Sequence, residues 1–404
     1  MDDIHNLKFK LEKRIRQIKE NPNISEKNKE LIVQFCYEKR AISLSAGRIC
    51  QYVFNLHKFC ELLGKDFDKA TIDDYKKAVG ELEQLDWEEA TKQAAKITLK
   101  VFLRWLYGTK EDPQIIQWLE IKARNNNRKL PEDMLTEEDI KLLIDNSKSV
   151  RDRAFLITLY ESGCRIGELL PIKIKNVHFD EYGAQLLVDG KTGMRRVRII
   201  SATPYLTEWI NKHPLRQPEA PLWITSNKTR WAYTSLKKML RVLRVRSGLK
   251  KRLYPHIFRH SRATYLANHL TEAQLKEIFG WSRNSNMAAT YVHLSGRDVD
   301  NALLRTYGIK LEEKVEPNEL KPKVCPRCNE VNPATNQICA KCSMIIDERM
   351  RNKLIEDEFN QRETDKIIGK MLETHPEFKQ VFMTAWGNVF EELSSNKKNN
   401  TKIN

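Results

Sequence analysis

The stretch Tyr254-Pro255-His256-Ile257-Phe258-Arg259-His260-Ser261-Arg262-Ala263-Thr264 decides how the chain is read. His256 and Arg259 stand three apart, so on a helix, or on a tight turn leading into one, they face the same way. Ala263, Leu266, Ala267 and Leu270 then give that helix an apolar side. Thr271 caps a further helix with Gln274 three residues on, and this helix stops at Phe279-Gly280. Beyond Trp281, the segment Asn286–His293 presents Tyr291, thirty-two residues past Arg259.

Working back toward the N-terminus, Thr136-Glu-Glu-Asp139 is a capping-box pattern ahead of Ile140 and Leu143. The nearly all-apolar helix Ala154–Glu161 halts at Ser162-Gly163, and a new helix opens with Arg165-Ile166-Gly167-Glu168. The period then switches to alternation. Gln185–Val188 and Arg195–Ile200 read as short strands around the glycine-bracketed turn Asp189–Gly193, which carries Lys191. From Thr234 the helical period returns, with Leu236, Met239, Leu240 and Leu243 on one face and Lys237, Arg241 and Arg244 away from it.

The first third of the chain is helical in pattern. A charged helix is expected up to about Glu20, ahead of Pro22. Ile49, Tyr52, Val53, Leu56, Cys60 and Leu63 make one apolar stripe that Gly64 ends. Thr71 and Asp74 cap the next helix, and a fourth carries Ile97, Val101, Phe102 and Trp105. Residues 108–131 form a break that is Asn-rich and basic at its end, with Ile115–Ala123 a candidate helix. After residue 345, Ile367, Ile368, Met371, Leu372, Phe378, Val381, Phe382, Trp386 and Phe390 predict two or three helices needing a partner surface.

The 404 residues carry 70 Lys+Arg against 54 Asp+Glu, a net +16, and 41% hydrophobic content excludes a wholly disordered chain. The charge is uneven. Between Glu219 and Glu272 there is no acid but there are twelve basic residues, among them Lys237, Lys238, Arg241, Arg244, Arg246, Lys250, Lys251 and Arg252. Twelve uncompensated cations repel one another unless something anionic neutralises them, so these eight are candidate DNA-binding residues. No apolar run approaches the ~20 residues of a membrane span, and the acidic start does not read as an export signal; a soluble, cytoplasmic, nucleoid-associated protein is expected. Cys36, Cys50, Cys60 and Cys164 read as buried thiols, whereas Cys325, Cys328, Cys339 and Cys342 form two CxxC pairs separated by ten residues. That spacing fits one structural zinc held by four sulfurs, with no open position for catalysis.

HIFRHSRAT, IFGWSRNSNMAATYVH and ESGCRIGELL resemble the three signature blocks of the tyrosine recombinase (phage integrase) family, in order and spacing over roughly residues 135–308. The helical segment before them resembles that family's core-binding domain more loosely. The resemblance implies catalytic roles for Arg165, Lys191, His256, Arg259, Trp281 and Tyr291, with Glu168 and His260 in support. The chemistry suits these residue types. Attack by a protein nucleophile on a phosphodiester builds negative charge on the non-bridging oxygens, and guanidinium forks match it while staying protonated. The histidines donate or exchange protons near neutrality. Lys191 resembles the family's general acid for the departing sugar oxygen, and Tyr291 its nucleophile. Trp281 stands where many relatives carry histidine; its indole donates a hydrogen bond but cannot transfer a proton.

The expected fold is therefore mainly α with a small β-hairpin sheet: a helical core-binding domain over 1–125, a linker at 126–134, a mixed α+β catalytic domain over 135–310, a zinc ribbon over 320–346 and a helical region with a polar tail over 347–404. The expected activity is site-specific recombination or integration of duplex DNA through a 3′-phosphotyrosine, without catalytic metal, nucleotide or small-molecule substrate. What the family implies beyond this is a clamp around DNA and four protomers on two DNA partners. The ribbon resembles that of recombinases from archaeal mobile elements. Two alternatives remain at this stage, a type IB topoisomerase and a non-catalytic DNA-binding regulator.

Overall fold

The computed structural model describes residues 4, 6–121, 133–190, 193–294, 307, 320–377 and 379–386. These divide into two units, Met1–Ile199 with Leu206–Lys314, and Ile200–Tyr205 with Val315–Asn404.

The first unit opens with five helices, α1 (Leu7–Glu20), α2 (Glu26–Ala41), α3 (Ala46–Leu63), α4 (Ile72–Gln84) and α5 (Glu89–Leu106). All six residues of the expected α3 stripe are buried, and Gly64 ends the helix at φ 59°. Thr71 and Asp74 form the expected reciprocal cap. One core, confined to residues 11–119, joins the five helices. Within it Asn55 on α3 donates to Thr98 Oγ1 (2.8 Å) and the Ala94 carbonyl on α5, satisfying a buried polar pair that fixes how the two helices meet. The face of α5 differs from expectation. Ala95, Leu99, Phe102 and Leu103 are buried while Ile97 is 38% exposed, because Phe102 meets Phe35 and Phe67 edge-on and sets the rotation of the helix. The candidate helix at Ile115–Ala123 is a single 3₁₀ turn, Gln114–Ile116, whose Ile116 and Leu119 enter the same core; residues 122–132, most of the expected linker, lie outside the described residues.

The remaining elements of this unit are α6 (Glu137–Asp145), α7 (Val150–Ser162), α8 (Ile166–Leu169), the strands β1 (Val177–Asp180), β2 (Gly183–Gly190) and β3 (Gly193–Ile199), then α9 (Thr203–Asn211, of which the residues up to Tyr205 count with the second unit), α10 (Tyr233–Ser247), α11 (Pro255–Ala267), α12 (Glu272–Phe279) and α13 (Met287–Leu294). Helix α7 is buried along its whole length from Ala154 to Ser162, as an element apolar on all sides must be. Phe155 on it meets Trp223 and Trp231 edge-on, each at 5.0 Å. The sheet is antiparallel in the order β1-β2-β3, and the hairpin register closes on Gly190↔Gly193. Strand β1 is an exposed edge with no clear alternation, which is why pattern alone does not find it.

In the second unit β4 (Lys323–Val324) pairs with β5 (Val331–Asn332), and the Tyr205 hydroxyl lies 2.9 Å from Thr335 Oγ1. The C-terminal region holds one 27-residue helix, Glu348–Thr374, with no buried residue, followed by helical residues 376–377 and 379–386; Phe378 and Phe390 lie outside the described residues. Among the described residues no helix is long and apolar enough to cross a membrane.

Candidate active site and candidate metal centre

Arg165 is delivered by the break between two helices. Gly163 adopts φ 56° and ends α7, and Arg165 becomes the N-cap of α8. Glu168, one turn later, accepts the Arg165 backbone N–H on Oε2 (2.9 Å) and its Nη1 on Oε1 (2.9 Å). Capping and ion pairing are thus both made by one carboxylate. Its side chain is fully buried. Burial works to raise the Glu168 pKa, but the hydrogen bond and charge of Arg195, then the backbone and side-chain hydrogen bonds of Arg165, hold it below the usual carboxylate value.

Arg259 sits one turn into α11, 5% exposed, and donates to the Gly163 carbonyl (2.8 Å) and the Phe279 carbonyl (2.6 Å). These two bonds tie together the ends of α7 and α12. Its pKa is lowered to about 10, first by burial and then by the charges of Arg165 and Arg195, so it stays protonated at neutral pH. The Arg259 guanidinium also lies over the rings of Phe279 (5.0 Å) and Trp281 (5.5 Å).

Tyr291, on α13, is 4% exposed and stacks on Trp281 at 5.4 Å and 1°, while Trp281 stacks on Phe279 at 4.9 Å. The three rings are one pile that fixes the phenol. The Tyr291 hydroxyl is 2.5 Å from His260 Nδ1. Burial pushes the phenol pKa up to about 12, although Arg259 pulls it down. Tyr291 is therefore neutral at working pH, with a histidine ring nitrogen already in contact. His256 and His260 lie with ring centroids 6.4 Å apart, His256 on the exposed side of the helix.

The structure thus brings Arg165, Glu168, His260, Arg259, Trp281 and Tyr291 together, with His256 beside them. Lys191 lies outside the described residues, between Gly190 and Gly193. The residue that pattern reading passed over is Arg195. It is 12% exposed, reaches Glu168 Oε2 at 2.8 Å, and donates its Nε to the Ile278 carbonyl at 3.0 Å. Its sole sequence signal is its phase: on β3 it shares a face with the buried Val197 and Ile199, while Arg196 and Arg198 point out. Three guanidiniums against one carboxylate leave the pocket two charges positive, an arrangement that demands an anion.

Of the eight basic candidates, Lys237, Lys238, Arg241, Arg244, Arg246, Lys250 and Arg252 are exposed, and α10 buries Leu236, Leu240 and Leu243 as expected, with Met239 half-buried. Lys251 differs. It holds the Met134 carbonyl (2.7 Å) and Asp139 (2.6 Å), so its charge is spent inside the fold. Arg244 also donates to the carbonyls of Leu249 and Lys250, just beyond the end of its own helix.

The four sulfurs of Cys325, Cys328, Cys339 and Cys342 lie within 4.8 Å of one another, with cross pairs at 3.5 and 3.6 Å. Zinc–sulfur bonds of about 2.3 Å in a tetrahedron require edges of about 3.8 Å, so the set fits the ion. The two CxxC loops are copies of one turn. In each, the first cysteine's carbonyl accepts from the residue after the second cysteine, Asn329 or Ser343, which has positive φ (55° and 58°). Its N–H donates to the residue five further on, Glu330 or Met344. The Cys342 N–H, chiefly, pulls the Cys339 thiol pKa down, while the neighbouring sulfurs push that of Cys328 up, so the set shares its protons until a cation replaces them.

Residues 133–297 match the family described as the phage integrase family. The chain is 28% identical over 270 residues to the tyrosine recombinase XerC of Alcanivorax borkumensis, covering 62% of this chain and 84% of that protein. It is 30% identical over 184 residues to XerC of Mannheimia succiniciproducens, covering 43% and 61%. In fold it is similar to XerH site-specific recombinase bound to palindromic difH substrate (TM-score 0.53, 19% identity, 76% of this chain and 97% of that one). It is also similar to a lambda integrase dimer bound to a COC′ core site (TM-score 0.54, 15% identity, 67% and 78%). With the arginine pair, the histidine and the stacked tyrosine on one pocket, residues 133–297 are a domain matching the phage integrase family, and the matched relatives are tyrosine recombinases.

Proposed function

We propose that the protein breaks and rejoins duplex DNA at specific sites. The carrying observation is a pocket with two net positive charges beside a buried, neutral tyrosine whose hydroxyl already touches a histidine. Arg165 and Arg259 hold the non-bridging oxygens of the scissile phosphate. Tyr291 Oη attacks phosphorus and passes its proton to His260. The bond to the 5′-oxygen breaks, and Lys191 protonates that oxygen. The resulting 3′-phosphotyrosyl ester conserves the phosphodiester energy, and an incoming 5′-hydroxyl reverses the same steps. The exposed basic face of α10 and the segment after it meets the DNA backbone. Four protomers assemble on two duplexes, the four cysteines hold one structural zinc, and the substrate is the end of a mobile element acted on in the cytoplasm.

The test uses duplex selected by the wild-type chain from a randomised pool, nicked so that the cleaved end diffuses away. The wild type accumulates a covalent protein–DNA adduct. Tyr291→Phe binds the same duplex with unchanged affinity and forms none; adduct from this variant would place the nucleophile elsewhere. Arg165→Gln and Arg259→Gln each slow adduct formation by about 10²–10³-fold, as loss of a charge-stabilising donor does.

A further inference from the structure

We propose that Arg195 is a positioning residue that acts through Glu168 on the guanidinium of Arg165. The inference rests on Arg165 being a phosphate ligand, as above, and concerns what holds that ligand in place. Both Glu168 oxygens are committed: Oε1 to Arg165 Nη1, and Oε2 to the Arg165 N–H and Arg195 Nη2. Arg165 alone is a poor counter-charge for a fully buried carboxylate, since its own side chain is 27% exposed and is needed by substrate. Arg195 supplies the buried counter-charge from a different element, β3. A buried carboxylate that loses one of two cations either takes a proton or draws the other cation inward, and either response moves Arg165 off its post.

Three further observations point the same way. Nη1 of Arg195 is buried with no hydrogen-bond partner among the described residues, so this arginine is kept for its charge at Glu168 rather than for a complete set of hydrogen bonds. A Cβ on Gly190 would meet Glu168 Oε1 at 2.6 Å and Arg195 Nη1 at 3.2 Å, so the hairpin strand β2 rests directly on the ion pair. Arg195 Nε is fixed on the Ile278 carbonyl, one residue before the Phe279 carbonyl that holds Arg259. Arg195 therefore sets Arg165 in a frame shared with Arg259.

The groups facing Glu168 are Arg165 and Cys164 at the start of α8, Arg195 on β3 and Arg259 on α11. Cys164 is a neutral thiol, its pKa raised by burial. Removing Arg195 takes away the principal group lowering the Glu168 pKa, so protonation occurs at higher pH and frees Arg165 there.

The experiment measures single-turnover adduct formation by the full chain on the selected nicked duplex, from pH 5 to 9. Arg195→Met slows it roughly a hundredfold at neutral pH, the usual effect of misplacing a reacting group by about an ångström, and moves its acid limb to higher pH with DNA affinity unchanged. Glu168→Gln slows it similarly, and the double variant is no slower than the slower single one. Arg195→Lys, the variant to use if Arg195→Met does not fold, keeps the charge and recovers most of the rate, and is likewise not additive with Glu168→Gln. Multiplying effects, or a wild-type acid limb in Arg195→Met, overturn the assignment. If the wild-type chain forms no adduct at all, it is the strand-transfer reading that fails, and this inference falls with it.

Discussion

At the residue scale, the site depends on Gly163. Its φ of 56° suits glycine, and a Cβ there would lie 2.4 Å from Phe279 Cε1. Phe279 is the base of the ring pile and its carbonyl holds Arg259, so the two strains reach the reacting groups together. Gly163→Ala is expected to lower stability by about 1–3 kcal/mol, the usual cost of overpacking, read as a lower urea midpoint at unchanged slope, and to reduce adduct formation. A wild-type midpoint would mean that Phe279 moves aside freely. Tyr291 gives a pH prediction with a definite sign. Its folded pKa of about 12 lies above the unfolded value of about 10. Its contribution to stability is therefore full below pH ~10 and is lost as pH rises toward ~12. In Tyr291→Phe the alkaline decline over that window should be shallower than in wild type; identical curves would show that burial does not perturb this phenol.

At the scale of elements, the capping boxes show why local structure was legible. Thr71–Asp74, Thr136–Asp139 and Thr271–Gln274 all form reciprocal caps in the structure, because the cap is made by residues three apart and needs no tertiary information. Asp139 does more than its sequence position indicates, since it also pairs with Lys251 from the segment before α11. Thr136→Ala should cost about 1 kcal/mol, and Asp139→Ala should cost measurably more, because it strands Lys251 as well. Equal losses in denaturant titrations would mean that the ion pair contributes nothing. The same contrast separates what could be read from what could not. Arg165, Arg259 and Tyr291 sit in motifs whose order carries the information. Arg195 lies one residue from an outward-facing Arg196 and is set apart only by strand phase, which is fixed once the Gly190↔Gly193 register is known. The buried face of α5 was equally out of reach, because aromatic contacts from α2 and the loop after α3 choose it.

At the scale of the whole molecule, the exposed basic residues of α10 and the segment after it are those that the proposed function sets against DNA phosphate, and this makes binding salt-dependent in a residue-specific way. Replacing Lys237 or Arg241, both exposed on α10, should reduce the slope of log affinity against log salt by about one each. Lys251→Met should leave the slope unchanged while lowering stability, since that charge faces Asp139. The second unit makes a different demand. Its four-cysteine cluster stands on two very short strands, with Leu320, Asn332 and Ala334 among the few buried residues around it, too little apolar area to fold on its own. Under the proposed zinc assignment, binding energy from the metal substitutes for a core. A strong chelator should release about one zinc per chain, and amide protection at Cys325 and Cys339, whose N–H groups close the two turns, should vanish while that of α7 persists. Cys339→Ser should reproduce the loss without chelator. Protected amides at both positions in a metal-stripped chain would mean that the paired turns hold themselves and that zinc is not what folds them.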